Sequence, residues 1–347
     1  LDELRYYYGA LVLISHDRVV LDALVTTIWE VRDGEVHVYS GNYSDYQVQK
    51  QVEREQQSQA HEQFIKEKNR LKKSAQEKMK KAKKITQAGN MSKREANATP
   101  NKSLMTKSKG TSQKSVHRAA KAIEQRIEHL KEVEAVQEES QIVFRQSKTV
   151  ELYNKFPIMA DQLTLQVKEN VLLNKTSFQL PLGKKIAITG ANGVGKSTLL
   201  HHISNNGAGL TISPKTKIGY FRQMSYRFTS DETVLEFVKS HSEYDEGFLR
   251  SVLHAMQFVD TDIQKNVQSL SGGEMIRLQL CQLFLGEYNI LLLDEPTNFL
   301  DVPAIEALEQ FIAGYEGTII LVSHDQAFIK NVADIKYSII EKKLTRE

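Results

Sequence analysis

The string Gly190-Ala191-Asn192-Gly193-Val194-Gly195-Lys196-Ser197 constrains this 347-residue chain more than any other. It follows an apolar run, Ile186-Ala187-Ile188, and leads into Thr198-Leu199-Leu200. Strand, glycine-rich loop and helix in that order make a phosphate-binding loop. The glycines let backbone N–H groups turn inward, and the helix start adds a positive dipole end. In this pattern Lys196 neutralises β- and γ-phosphates and Ser197 offers its hydroxyl to Mg²⁺. Gly190, Asn192, Gly193, Gly195, Lys196, Ser197 and Thr198 are the candidate nucleotide-binding residues of the loop. Apolar runs at 185–189, 290–293 and 318–322, separated by helical stretches, predict an α/β domain with a mostly parallel sheet.

Ile290-Leu291-Leu292-Leu293 ends in two carboxylates. Asp294 at the strand end is placed to hold Mg²⁺ through water, and Glu295 to orient or deprotonate attacking water. Leu270-Ser271-Gly272-Gly273-Glu274 precedes a helical stretch, so Ser271, Gly272 and Gly273 form a second anion-receptive helix start. Ser323-His324-Asp325 follows the last apolar run, and Gly219-Tyr220-Phe221-Arg222-Gln223 lies between the phosphate loop and Ser271. These strings, in this order, resemble the ATP-binding-cassette superfamily over essentially the whole chain. The resemblance implies a P-loop NTPase cassette that hydrolyses ATP with Mg²⁺. It further implies that Gln223 lies near the metal and the water, that His324 is a switch histidine on the γ-phosphate, and that Asp301 in Asn298-Phe299-Leu300-Asp301 is the D-loop residue. The expected catalytic set is Glu295, His324 and Gln223, and the expected Mg²⁺ set is Ser197, Gln223 and Asp294. One departure is that residues 163–173 hold no aromatic side chain to stack on adenine.

Part of this pattern occurs twice. Leu11-Val12-Leu13-Ile14-Ser15-His16-Asp17 repeats Ile319-Ile320-Leu321-Val322-Ser323-His324-Asp325, and Thr27-Ile28-Trp29-Glu30-Val31 lies where Ile335-Lys336-Tyr337-Ser338-Ile339 lies in the second copy. Asp33-Gly34 between apolar runs predicts a β-hairpin. Residues 1–44 therefore read as the C-terminal remnant of a first cassette, 157–347 as a complete second one, and the sequence as a piece of a protein of roughly 500 residues. Between them, 45–156 form an arm. Phe64, Leu71, Ala75, Met79, Ala82 and Ile85 mark one face of a helix over about 45–88. Val116, Ala119, Ile123, Ile127, Leu130 and Val133 mark another over about 112–147. The break at about 89–111 carries Gly89, Asn90, Pro100, Asn101 and Gly110, which predicts a helical hairpin with a tip loop containing Leu104 and Met105.

Charge supports a polyanion partner for that arm. Residues 66–121 hold 18 Lys and Arg against three acidic residues, although the whole chain is only +3. No run approaches the roughly 18 apolar residues of a membrane span. The single Cys281 excludes an internal disulfide framework or a multi-cysteine zinc site and fits a cytoplasmic protein. Two cassettes joined by a long charged helical hairpin resemble the ABC-F family. That resemblance implies binding at the tRNA exit site of the bacterial ribosome. Residues 66–121 would face large-subunit rRNA and peptidyl-site tRNA, with no membrane partner. The long arm resembles the Gram-positive resistance branch, acting against lincosamides, streptogramin A and pleuromutilins. Two alternatives are a housekeeping ABC-F translation factor and the ATPase subunit of a drug exporter. Cassettes of this superfamily close head to tail. His16 is therefore expected to serve a site whose phosphate loop belongs to the absent part of the first cassette, and this chain alone is expected to turn over ATP poorly.

Overall fold

Alternating and continuous apolar runs set two kinds of sheet. The computed structural model describes residues 4, 6–15, 18–32, 34–89, 118–119, 121–123, 125–127, 142–145, 152–222 and 228–347, with side chains of the long helix described to residue 80. The chain divides into two compact units, Val25–Glu138 and Leu1–Leu24 with Glu139–Glu347.

In the larger unit, helix α1 (Arg18–Leu24) buries Arg18, which donates to Glu309 at 2.9 Å. The smaller unit opens with a hairpin of β1 (Thr27–Arg32) and β2 (Glu35–Ser40), with Arg32 opposite Glu35. Gly34, just before β2, has φ +79°, the left-handed conformation that a tight hairpin turn calls for. Strand alternation gives the hairpin two unlike faces. One carries Glu30 and Tyr39 toward helix α2 (Tyr43–Gly89), where Tyr39 meets Tyr46 edge-on at 4.9 Å and Lys50 pairs with Glu30 at 2.9 Å. Burial and the neighbouring Glu53 and Glu30 push the Tyr39 hydroxyl up to about 12. The other face carries Trp29, Val31, Val36 and Val38, exposed at 68, 74, 54 and 62%.

Helix α2 matches the predicted first arm helix within two residues and buries Leu71 and Ala75 of its apolar face. The second arm helix is described only as short helical pieces within 118–127. The tip from residue 90 onward, with Leu104 and Met105, lies outside the described residues.

The rest of the larger unit is layered. Strands β3 (Ile158–Val167), β4 (Asn170–Leu180) and β6 (Leu210–Ile212) form an antiparallel sheet in the order β4-β3-β6. A six-stranded sheet has the order β11-β10-β5-β9-β8-β7, built from β5 (Lys185–Thr189), β7 (Ile218–Phe221), β8 (Ile290–Asp294), β9 (Thr318–Val322), β10 (Ile335–Ile340) and β11 (Lys343–Arg346). All its pairings are parallel except β10 with β11. Every residue of β8 and β9 is buried, as continuous apolar strands between two layers require. Ile290, Leu292 and Ile320 pack with Leu199 and Ile203 of α3 (Lys196–Ser204), while Leu291, Leu293 and Leu321 join a second core with the helices on the other side. Those helices are α4 (Val234–Ser240), α5 (Glu246–Ala255), α6 (Gly272–Leu285) and α7 (Val302–Gly314). Helix α8 (Gln326–Val332) follows β9.

The segment predicted to stay helical to about 147 does not. At 142–145 the chain is extended, and Phe144 forms a parallel bridge with Tyr315 and donates its N–H to Gly314 O at 2.9 Å. The apolar residues there are claimed by the cassette. Phe144, 1% exposed, packs against Phe311 of α7 at 5.1 Å, Phe284 of α6 at 5.3 Å and Phe248 of α5 at 5.7 Å. Gly314 makes room for this segment, because a Cβ there would lie 1.9 Å from Ile142 O. Gly314→Ala should therefore cost about 1–3 kcal/mol, the range for overpacking. Denaturant unfolding of the variant checks this, and unchanged stability would show that the segment can lift without loss.

Candidate nucleotide site

The phosphate loop follows β5 and opens α3. Gly190, Gly193 and Gly195 have φ of 141°, 78° and 105°, which an L side chain rarely adopts. A Cβ on Gly195 would also press on Leu172 Cβ at 3.0 Å. Gly195 is the N-cap of α3, and no side chain caps that helix, so its first-turn N–H groups stay available to an anion. Lys196 is 7% exposed and bends back to donate to Gly190 O at 2.8 Å and Ala191 O at 3.0 Å, which sets its ammonium inside the loop. Asn192 is exposed on the loop, and Thr198 is half-buried in the first turn of α3.

The ends of β8 and β9 bring the acidic groups to this loop. Ser197 Oγ donates to Asp294 Oδ1 at 2.8 Å, joining loop and strand. Burial pushes the Asp294 carboxyl up. Hydrogen bonds from Ser197 and Tyr220 and the charges of Arg222 and Lys196 oppose that rise. Glu295 leaves the strand with φ +51°, a left-handed conformation costing about 1–3 kcal/mol in a non-glycine residue. Its N–H donates to Val322 O at 2.9 Å, and its Oε2 accepts from His324 N at 3.1 Å. His324 Nε2 lies 3.2 Å from Glu295 Oε1, and the His324 side chain is 57% exposed. Burial is the largest influence on Glu295 and raises it. His324 opposes the rise, and Asp294 adds to it.

The remaining motifs occupy helix starts. Ser271 caps α6 in a capping box: its Oγ accepts from Glu274 N at 3.4 Å, and its N–H donates to Glu274 Oε2 at 2.7 Å. The Ser271 hydroxyl and amide, with Lys265 at 3.2 Å, hold the Glu274 carboxyl down at about 2. Gly272 is exposed, and Gly273 lies under Phe299 O of the Asn298–Asp301 turn. Asp301 caps α7, accepting from Ala304 N at 3.1 Å. The structure thus gathers Lys196, Ser197, Asp294, Glu295 and His324, while Ser271 and Asp301 each engage their own helix. Gln223 and His16 lie outside the described residues. Sequence reasoning passed over Tyr220 and Arg222, which lie in the string quoted for Gln223 and act on Asp294.

These groups fit a nucleoside triphosphate with Mg²⁺. Uncapped helix N–H groups and a buried ammonium suit phosphate, and Ser197 and Asp294 are the hard oxygen donors that Mg²⁺ takes. Among the described residues no group of three His, Cys, Asp or Glu could hold a metal by itself. Bound at this site, Mg²⁺ would supply neutralisation of phosphate charge. Lys196 and the loop amides would hold the phosphates, and Glu295, whose Oε2 accepts from His324 N, would orient an attacking water or take its proton.

Fold and site together define an ATP-hydrolysing ATPase of the ATP-binding-cassette class. Two family profiles, both described as ABC transporter, match residues 173–298 and 29–99. The chain is 40% identical over 337 residues to the erythromycin resistance ATP-binding protein MsrA of Staphylococcus epidermidis, covering 97% of this chain and 69% of that protein. It is 29% identical to the ribosome protection protein VmlR of Bacillus subtilis, covering 99% of this chain and 63% of that protein. Against ABC transporter F family member 2 of Arabidopsis thaliana the identity is 30%, covering 93% of this chain and 44% of that protein. The chain belongs to the ABC-F family of ATP-binding-cassette ATPases.

Glu295→Gln in the full-length protein should leave nucleotide binding intact and cut ATP turnover by about 10²- to 10⁴-fold, as loss of a positioned base does. Lys196→Ala should instead weaken nucleotide binding, and fluorescent-nucleotide titration separates the two. The Gln variant also carries a pH signature. The folded protein holds the Glu295 proton more tightly than the unfolded chain does, so the ionised carboxylate destabilises the fold at neutral pH. Without nucleotide or metal, Glu295→Gln should melt higher than the parent at pH 7. The gain should fade as pH falls through the raised value, and vanish below the ordinary carboxylate range, where the parent is protonated in both states. Melting curves across pH check the sign.

Proposed function

We propose that this chain is part of a ribosome-binding ABC-F ATPase. In this reading it protects the bacterial ribosome from antibiotics at the peptidyl-transferase centre, binds at the tRNA exit site with ATP and leaves on hydrolysis. The observation that carries the reading is a strongly basic segment beside an ATPase cassette: 18 Lys and Arg against three acidic residues over 66–121, a segment that begins on the long helix α2, where Lys72 and Lys80 are exposed. Lys and Arg on phosphates release counterions and drive salt-dependent RNA binding. No described helix is long and apolar enough to cross a membrane. The higher identity to a resistance protein, 40% against about 30% for other family members, favours the resistance branch over a housekeeping factor.

Neutralising Lys72 and Lys80 in the full-length protein should weaken ribosome co-sedimentation and lower its salt slope by about 0.7 to 0.9 for each lysine–phosphate pair removed. Recovery with membranes and not ribosomes would refute the reading. Resistance conferred on a sensitive host separates protection from a housekeeping role.

The same reading assigns residues 1–44 to the end of a first cassette, 45–156 to the arm and 157–347 to the second cassette. The repeat supports it through burial. Val31 faces Val36 across the first hairpin as Ile339 faces Leu344 across β10–β11. Ile339 and Leu344 are 5 and 4% exposed under the antiparallel sheet of their cassette, whereas Val31 and Val36 are 74 and 54% exposed. In this reading the exposed face would be covered in the full-length protein as Ile339 and Leu344 are covered here. Trp29 should resist acrylamide quenching in the full-length protein and be quenched readily in residues 1–347. Equal quenching would overturn the assignment.

A further inference from the structure

Strand β7 runs parallel to β8 with Tyr220 opposite Leu292 and Phe221 opposite Leu293. Residues two apart share a face of a strand, so Tyr220 stands on the face that carries Leu292 and Asp294. Its ring packs, half-buried, on the core beneath the phosphate loop, while Phe221 between Tyr220 and Arg222 is buried in the opposite core. The Tyr220 hydroxyl hydrogen-bonds the Asp294 carboxylate. Arg222, just past the strand, lays its guanidinium over the Tyr220 ring at 5.8 Å, and its charge also reaches Asp294.

Asp294 is 7% exposed, so an ionised carboxylate there needs donors from the protein. Ser197 supplies one from the loop, at 2.8 Å. The Ser197 oxygen would also be a metal ligand in the site described above, and it sits where loop and helix meet. Tyr220 differs in being fixed to the strand beside Asp294, so it aims the carboxylate whatever the loop does. We propose that Tyr220 is a positioning residue for Mg²⁺ binding at Asp294, with Arg222 stacked on its ring as a brace. Tyr220 touches neither substrate nor metal in this role. The proposal rests on the ATPase class alone and is independent of the ribosomal reading.

Tyr220→Phe removes one hydroxyl and keeps the packed ring. In the full-length protein, fluorescent-nucleotide affinity in EDTA should equal that of the parent. With Mg²⁺ present, affinity should fall by about two- to tenfold, the effect of one hydrogen bond. The Mg²⁺ concentration giving half-maximal ATP turnover should rise by a similar factor. Arg222→Gln should shift both readouts the same way. In an Asp294→Asn background the Tyr220→Phe change should have no further effect on Mg²⁺-dependent affinity. An unchanged ratio of affinities with and without Mg²⁺ would overturn the proposal. So would an equal loss in EDTA, which marks a packing role, or a full effect in the Asp294→Asn background.

Discussion

Strands β5, β8 and β9 lie between two apolar layers, and that double burial governs where chemistry can occur. Ile186, Ile188, Ile290 to Leu293 and Ile319 to Val322 have no exposed face, so a polar side chain within them would lose water without gaining a partner. Groups that carry charge are therefore pushed past the carboxyl ends of the strands. Asp294 and Glu295 close β8, Ser323 and His324 follow β9, and the phosphate loop follows β5. Because the strands are parallel and adjacent in the sheet, these ends converge on one edge.

Convergence has an electrostatic cost that local structure offsets. Two carboxylates in succession, each less than a tenth exposed, would repel if both pointed the same way. The left-handed φ of Glu295 turns the chain between them. Asp294 then faces Ser197 on the loop, while Glu295 faces the backbone N–H of His324. The strain at Glu295 is held by its own N–H on Val322 O, in the strand next door. Backbone strain and burial thus meet at one residue, whose carboxyl the fold holds above its ordinary value.

How far the sequence reveals this depends on whether a contact is local. The β8 and β9 runs, the phosphate loop and the carboxylate pair are contiguous strings, and each string carries its own reason to fold as it does. The contact of Tyr220 with Asp294 is not contiguous. It arises from the register of two strands that lie far apart in the chain, and nothing in Gly219-Tyr220-Phe221-Arg222-Gln223 announces a partner. The end of the arm misleads for a related reason. Val143 and Phe144 continue an apolar habit that reads as helix, but Gly314 leaves an edge without a Cβ, and an aromatic cluster from three helices takes Phe144 instead. Tertiary packing overrides local periodicity where a large ring can be wholly buried.

The two hairpins show how one local sequence habit can serve different surroundings. In β10–β11 and in β1–β2 the cross-strand apolar pairs stand in the same register. In the first hairpin the polar and aromatic face is the one in use: Tyr39, Tyr46, Glu30 and Lys50 bind it to the start of α2. A 47-residue helix rising from a two-stranded ribbon needs such a clamp, because a lone hairpin is marginal in water and a lone helix gains little from propensity. The apolar face is left free of that task. The single stretch from Thr27 to Ser40 thus anchors the long helix through one face and leaves the other, with Trp29, Val31, Val36 and Val38, exposed.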